Sequence, residues 1–292
     1  MNLWYNPALK TNKRPLVHAV IRSVNYPGII SYSSKALTLE LPLVGTDTED
    51  DDNSSFMNFG AGLSSDASGD GSLSVSSAMM TLSYALQLND DHTWLAIGFQ
   101  GAYTFTRMQL PSYNYYPDQF DQYGPIASAI AADPTQSGNT YSYFNDGVGL
   151  ALFHTGAQKQ WYIGGSIRHV NQPFTSSQHA IAYQVPMSRS IQAGYTTAIS
   201  SDDAIGGYGV FNWQGVVHEH LIGVRYTHNL NDSATNTVSF GAGYRLGDAL
   251  IPDVGCRLGA NRFGVCYEIN VSSGSYSNYN RKSFDIYYRR DL

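Results

Sequence analysis

The alternation of side chains from Thr93 to Phe105 restricts the fold of this chain more than any other feature of the sequence. Large apolar side chains occupy one parity of this segment, and small or polar side chains occupy the other. Successive side chains of a β-strand point to opposite faces, so the pattern is typical of a strand with one apolar face. The large side chains are Leu95, Ile97, Phe99, Tyr103 and Phe105, and the intervening ones are Ala96, Gly98, Gln100, Ala102 and Thr104.

Similar alternation recurs from Leu16 to Tyr288 and predicts about fourteen strands, with no credible helix of three turns. The number is even, as in single-chain bacterial barrels. No residues are left to form a second sheet or a layer of helices, so lipid is the remaining partner for the apolar faces. A soluble barrel would turn its apolar face inward, and this many strands enclose more space than alternating side chains fill. We therefore predict an all-β fold, an up-and-down, antiparallel transmembrane β-barrel.

The composition agrees with a surface that is partly in lipid and partly in water. Charged residues make up 14% of the chain, below the quarter that is usual in soluble domains, yet the mean hydropathy is only -0.25. Tyrosine, with 22 copies, suits the two membrane interfaces. No run of roughly eighteen apolar residues is present, which excludes a transmembrane helix. The net charge of -6 argues against nucleic acid as a partner.

We expect one domain and a short leading segment. Residues 1–14 are predicted to form an extended N-terminal periplasmic arm, and residues 15–292 a single barrel with a long outer loop at about 110–142. The first residues lack the apolar core of a secretory signal, so we expect that a signal peptide has been removed from this numbering. The expected location is the outer membrane.

Two local predictions concern register. The apolar parity changes near Ser76 and Ser77, which predicts a β-bulge there. A two-residue turn at Ala260–Asn261 would place Cys256 and Cys266 on opposite faces of a hairpin. A disulfide between opposite faces is disfavoured, so both cysteines are predicted to be free thiols.

The long outer loop is the candidate partner-binding surface. Exposed aromatic side chains beside carboxylates are typical of binding surfaces. The alternative is that the tyrosines pack on one another and close the loop over the barrel mouth. The candidate residues are Tyr113, Tyr115, Tyr116, Asp118, Phe120 and Asp121.

Charged residues of both signs fall on the predicted inward face, which favours a lumen laced with ion pairs over an open selective pore. His218 and His220 could ligate a metal from one strand face, but no third ligand is indicated, and a pair of histidines at the rim is favoured. No catalytic motif, metal site or cofactor site is recognisable. The inward charged residues are Arg22, Glu40, Arg168, Glu219, Arg225, Arg245, Asp253, Arg257, Arg262, Glu268, Asp285 and Arg289.

Several segments together resemble the PorP/SprF family of outer-membrane proteins of the type IX secretion system of Bacteroidota. Asn6-Pro7-Ala8 resembles the N-terminal signature of that family, and Tyr162–His169 is its best-matching strand. Two departures are Arg22–Tyr26 at the end of the first strand and Leu9-Lys10 after the N-terminal signature. The other similar segments are Phe59–Leu63, Ser83–Ala85, Gly241–Arg245 and Phe263–Glu268.

The resemblance implies a non-enzymatic barrel that helps particular secreted proteins to be exported and held at the cell surface. Its expected partners are gliding or surface adhesins with a C-terminal signal domain, other type IX secretion components and outer-membrane lipid. Asn6 and Pro7 are expected to fix the periplasmic arm to the barrel or to other secretion components. The main alternative is a channel or a transporter of hydrophobic small molecules, and a third is a barrel-borne hydrolase.

Overall fold

The chain forms a barrel of long strands that is entered by its N-terminal segment. The computed structural model describes residues 2–11, 13–26, 31–43, 55–69, 71–89, 92–108, 120–126, 139–175, 183–231, 235–272 and 281–292. Residues 44–54, which are rich in aspartate, and most of the long loop lie outside these ranges. The elements are α1 (Asn2–Tyr5), β1 (Leu16–Asn25), β2 (Ser31–Leu43), β3 (Phe56–Ser68), β4 (Leu73–Asn89), β5 (Thr93–Met108), β6 (Phe120–Asp121), β7 (Gly124–Pro125), β8 (Asn139–Thr155), β9 (Lys159–Arg168), β10 (Phe174–Thr175), β11 (Tyr183–Gln184), β12 (Ser188–Ala198), β13 (Asp203–Gln214), β14 (Val217–Asn229), β15 (Asn236–Arg245), β16 (Ala249–Leu258), β17 (Asn261–Asn270) and β18 (Lys282–Asp291).

Fourteen of the strands in the described part of the chain form one closed barrel, which confirms the predicted fold class. Each barrel strand pairs antiparallel with its neighbours in chain order, and β6–β7 and β10–β11 form two separate short hairpins. The barrel closes between β1 and β18, from Leu16 opposite Asp291 to Asn25 opposite Lys282. Among the described residues, no helix has the length and apolar character needed to span a bilayer.

The two ends of the barrel are distinguished by their connections. β1 begins and β18 ends at one end, which we call the terminal end. The long connection from Met108 to Asn139 lies at the opposite end, which we call the loop end.

The apolar parity of each strand faces outward. In β5, Leu95 and Phe99 are 44% and 54% exposed, whereas Ala96 and Ala102 between them are 1% and 5% exposed. This is the alternation predicted from the sequence. The surface carries large side chains because lipid surrounds a barrel of this class, and the inner wall carries small ones because it packs on other protein groups.

The predicted bulge at Ser76 and Ser77 is wrong. The register runs through both residues without a shift, from Ser76 opposite Phe105 to Ser77 opposite Thr104, and the irregularity lies between Gln87 and Asn89. Leu73 and Val75 therefore belong to the same inward face as the later odd-numbered residues of β4. At the start of β4 the outward positions are serine or alanine. The sequence there has no large outward side chains to show which face of the strand meets lipid.

The β16–β17 hairpin turns one residue earlier than predicted. Gly259 and Ala260 form the turn, and Arg257 lies opposite Arg262. Gly259 has a φ of 57°, a left-handed conformation that glycine adopts without steric cost at the first position of such a turn. Cys256 and Cys266 still lie on opposite faces, and both are free thiols as predicted.

Candidate functional site

The N-terminal segment lies inside the barrel. Leu3, Asn6 and Lys10 are 2% exposed or less although they precede the first strand. The segment forms the short helix α1 and then a turn at residues 7–8, so the extended conformation predicted for the arm is wrong. We call residues 3–10 the N-terminal plug.

Asn6 attaches the plug to the barrel wall. Its Nδ2 donates to Leu150 O at 3.1 Å and Gly165 O at 3.3 Å. The same nitrogen lies 3.2 Å from Oε1 of Gln192, and Asn6 Oδ1 accepts the backbone N–H of Ala8 at 2.9 Å. The side chain is fully buried and its amide is satisfied on both atoms, so replacement would leave polar groups of three strands without a partner.

Glycines of three strands allow this close approach. A Cβ built at Gly98 would lie 2.5 Å from Ala8 N and from Pro7 C. A Cβ at Gly164 would lie 2.7 Å from Asn6 Nδ2, and one at Gly149 would overlap Asn6 Oδ1. Only glycine fits where another backbone passes so near the strand. Sequence reasoning did not assign these glycines to the site, although glycine on the small face of a strand is a recognisable signal of close approach.

The carbonyls at the end of α1 are bound by β9. Arg168 donates from Nη1 to Trp4 O at 2.8 Å and from Nη2 to Ser188 Oγ at 3.0 Å. Ser166 donates to Tyr5 O. Helix ends leave carbonyls without intrahelical partners, and these two side chains supply the missing donors. Both belong to the Tyr162–His169 segment that was singled out in the sequence.

Lys10 brings a cation into the interior. Its Nζ has no hydrogen-bond partner within the described residues, and the side chain is 2% exposed. Burial lowers the pKa of Lys10 to about 8, and the nearby Glu40 carboxylate partly opposes that effect. The plug therefore carries a group whose charged form is disfavoured by its docked position.

Ion pairs join inward side chains on β1 and β14 to β17, as the inward charges predicted. Glu268, whose side chain is 2% exposed, lies 2.7 Å from Arg22, 2.6 Å from Arg245 and 3.4 Å from Arg281. A second pair joins Arg225 to Asp253 at 2.7 Å. Arg168, another of the predicted inward arginines, donates to the Trp4 carbonyl of the plug. Salt bridges of this kind connect strands β1, β14, β15, β16 and β17 across the inner wall.

The predicted loop residues remain largely outside the described structure. Tyr113, Tyr115, Tyr116 and Asp118 lie in the range 109–119, which is not described. Phe120 and Asp121 form β6, and the Asp121 carboxylate accepts the backbone N–H of Tyr123 at 2.7 Å. The partner-binding role of these six residues stays a prediction.

The histidine pair lies in an aromatic group. The rings of His218 and His220 stack at 6.3 Å, and His220 also contacts Phe211 and Trp213 at 5.5 Å and 5.3 Å. Within the described residues, no group of three or more potential ligands is placed to hold a metal ion. The pair therefore contributes to the aromatic surface at the loop end.

Solved structures of similar architecture include channels for hydrocarbons. The Pseudomonas putida toluene transporter TodX matches with a TM-score of 0.51 and 10% identity over 99% of this chain and 93% of its own. The TodX deltaS2S3 mutant, a monoaromatic hydrocarbon channel, has a TM-score of 0.55 and 9% identity over 99% and 94%. At these identities the likeness shows the barrel fold alone.

The family comparison covers almost the whole chain. No curated protein matches the sequence significantly. The model of the family described as "Type IX secretion system membrane protein PorP/SprF" matches residues 3–289, from the N-terminal plug to the last strand. This range includes the Asn6-Pro7-Ala8 turn, the glycines beneath it and the β9 segment that binds α1. The chain therefore belongs to the PorP/SprF family of type IX secretion system membrane proteins.

Proposed function

We propose that this outer-membrane barrel is a non-enzymatic component of the type IX secretion system that supports export and surface attachment of specific secreted proteins. The family membership supplies the secretion system. The observation that carries the non-channel role is the N-terminal plug, which lies inside the lumen and is hydrogen-bonded to the wall, while ion pairs join strands of the opposite wall. Cargo such as a gliding or surface adhesin with a C-terminal signal domain would then be held at the loop end of the barrel.

The loop end is the proposed cargo surface. We place the loop end, which carries the long connection from Met108 to Asn139, outside and the terminal end in the periplasm, because barrels of this class have short periplasmic turns and longer extracellular loops. The long loop carries Tyr113, Tyr115, Tyr116, Asp118, Phe120 and Asp121, which combine apolar rings with carboxylates. Asn6 and Pro7 would serve to hold the plug in the barrel at the periplasmic side.

A deletion tests the loop without disturbing the barrel. Thr106 and Tyr141 are register partners, so removing residues 111–140 leaves residues 107–110 as a four-residue hairpin connection between them. We expect the shortened barrel to fold with an unchanged thermal midpoint and to lose its cargo in copurification from native membranes. The matched control replaces the three tyrosines with phenylalanine, which keeps their apolar area. Cargo that still copurifies with the deleted form would contradict the proposal.

Liposome conductance separates this function from a channel or a hydrophobic-solute transporter. The N-terminal plug and the ion pairs on the inner wall predict little ion current through the intact chain. Deleting residues 2–11 removes the plug and should produce a clear current, because the ion pairs line only part of the wall. A large current through the intact chain would favour the channel.

A further inference from the structure

Three arginines form a row at the terminal end of the lumen. Arg257 of β16 lies opposite Arg262 of β17, and Arg262 lies opposite Arg289 of β18. His18 of β1 continues the row beside Arg289. Like charges placed directly across strands destabilise a sheet. A row of this kind therefore needs a compensating partner.

The chain supplies little compensation among the residues that the structure describes. Asp291 lies 3.3 Å from Arg262 Nη2 and 2.9 Å from Arg289 Nη2. Arg257 donates from Nε to Gly259 O at 2.9 Å, and no described carboxylate lies within ion-pair distance of it. Among the described residues, Arg262 and Arg289 thus share one carboxylate, and Arg257 has none.

The row faces open space. A cavity of about 620 Å³ at the terminal end is lined by the three arginines together with Thr11, Lys13 and Arg14 of the N-terminal segment. A second cavity, of about 390 Å³, lies next to it along β14 to β18 and is lined by the same three arginines. The guanidinium groups can therefore be reached from both cavities.

Lys13 adds a fourth cation to this wall from the opposite side. Its Nζ lies 5.3 Å from the ring centroid of Phe56 and 5.2 Å from that of Trp94. Trp94 stacks on Phe153 with centroids 5.6 Å apart, so the ammonium rests on a packed aromatic cluster. Cation–π contacts of this kind hold the charge in place at the edge of the cavity.

We propose that this cationic mouth, formed by Lys13, Arg257, Arg262 and Arg289, binds an acidic peptide segment of a partner protein. Neighbouring strands are about 4.8 Å apart, so the three arginines span roughly 10 Å, which suits carboxylates spread along an extended peptide. Guanidinium groups bind carboxylates through charge-assisted hydrogen bonds. The arginines line the lumen and not the lipid-facing surface, so a lipid headgroup in the bilayer does not reach them. The site is at the opposite end from the proposed cargo loop and does not depend on it.

The test measures binding of a defined peptide to the full chain in detergent. The probe is a fluorescein-labelled Gly-Glu-Ser-Glu-Ser-Glu-Gly, and its control has glutamine in place of each glutamate. Fluorescence anisotropy at low salt should show the glutamate peptide binding at least tenfold more tightly, with affinity falling as salt rises. Equal affinity for the two peptides would overturn the proposal.

Two variants assign the binding to the arginine row. Arg257→Gln removes a guanidinium group that has no carboxylate partner among the described residues, and we expect the affinity for the glutamate peptide to fall about tenfold. The double variant with Arg257→Gln and Arg262→Gln removes two guanidinium groups and should lower that affinity about a hundredfold. The matched control is Arg189→Gln, an exposed arginine near the loop end, which should leave binding unchanged. Unchanged binding in both row variants, with thermal midpoints close to that of the parent, would refute the assignment. Displacement of the peptide by inorganic phosphate at equal charge concentration would show a small-anion site instead and would also overturn it.

Discussion

Replacing Gly98 with alanine should release the N-terminal plug from the wall. The new Cβ would lie 2.5 Å from Ala8 N and Pro7 C, where ordinary van der Waals contact begins at about 3.4 Å. The plug backbone would have to retreat by about 1 Å. The contacts from Asn6 Nδ2 at 3.1, 3.2 and 3.3 Å would then exceed hydrogen-bond length.

The cost follows from these two effects. The Asn6 amide nitrogen has two hydrogens, so two hydrogen bonds at about 1 kcal/mol each and an overpacking penalty of about 1–3 kcal/mol give about 3–5 kcal/mol. The ratio of docked to released plug should therefore fall by about a hundredfold or more. The barrel itself should remain folded, because the strand pairing of β5 does not depend on the plug.

Limited trypsin digestion reads out the release. Lys10 is 2% exposed in the docked plug, so cleavage after Lys10 requires that the plug leave the wall. Mass spectrometry of the digest should show a fragment that begins at Thr11 much earlier in the Gly98→Ala protein. The matched control is Gly165→Ala, since a Cβ there meets its nearest atom, Ser190 O, at 3.7 Å. If the two variants are cleaved after Lys10 at the same rate, the assignment of Gly98 to the plug contact is incorrect.

Two further predictions concern buried charges. The pKa of Lys10 is lowered from 10.5 to about 8, so the unfolded state binds more protons between these values and stability rises with pH across that window by about 3 kcal/mol. Lys10→Met should remove this rise, so the difference in thermal midpoint between parent and variant should change in favour of the parent from pH 8 to 10.5. A constant difference would contradict the lowered pKa of Lys10. Glu268→Gln leaves three arginines around a neutral group and should cost about 3–5 kcal/mol, measured as a lower thermal midpoint. Glu219→Gln, at a side chain that is 40% exposed with one contact to Arg245 at 3.3 Å, should cost less than about 1 kcal/mol, and equal losses would argue against a central role for Glu268.

The strands and their faces could be read from the sequence because the signal is local. A strand that separates lipid from a packed interior needs large and small side chains in strict alternation, and each strand carries that requirement independently. Predictions from the sequence were wrong where the alternation of large and small side chains is weak or where a turn sets the register. Near Ser76 the outward positions are serine or alanine while Leu73 and Val75 face inward, and the β16–β17 turn falls at Gly259, whose φ of 57° suits glycine.

The plug could not be read in the same way. Asn6 reaches Leu150, Gly165 and Gln192, which lie 144, 159 and 186 residues further along the chain. Nothing in the local pattern of residues 3–10 states that they enter the lumen. The match of Asn6-Pro7-Ala8 to a family signature pointed to the segment, but its conformation and its glycine contacts required the folded barrel.

The amino-acid sequence alone determined the class of fold, the approximate number of barrel strands and the outward face of most of them, since alternation between lipid and interior is a property of each strand. The tertiary structure decided which inward side chains meet. Closure of β1 on β18 and the register of β16 to β18 bring Arg257, Arg262 and Arg289 into one row, and the same closure creates the lumen that the plug occupies. Contacts between distant residues depend on register and closure, and these are fixed only when all the strands pair.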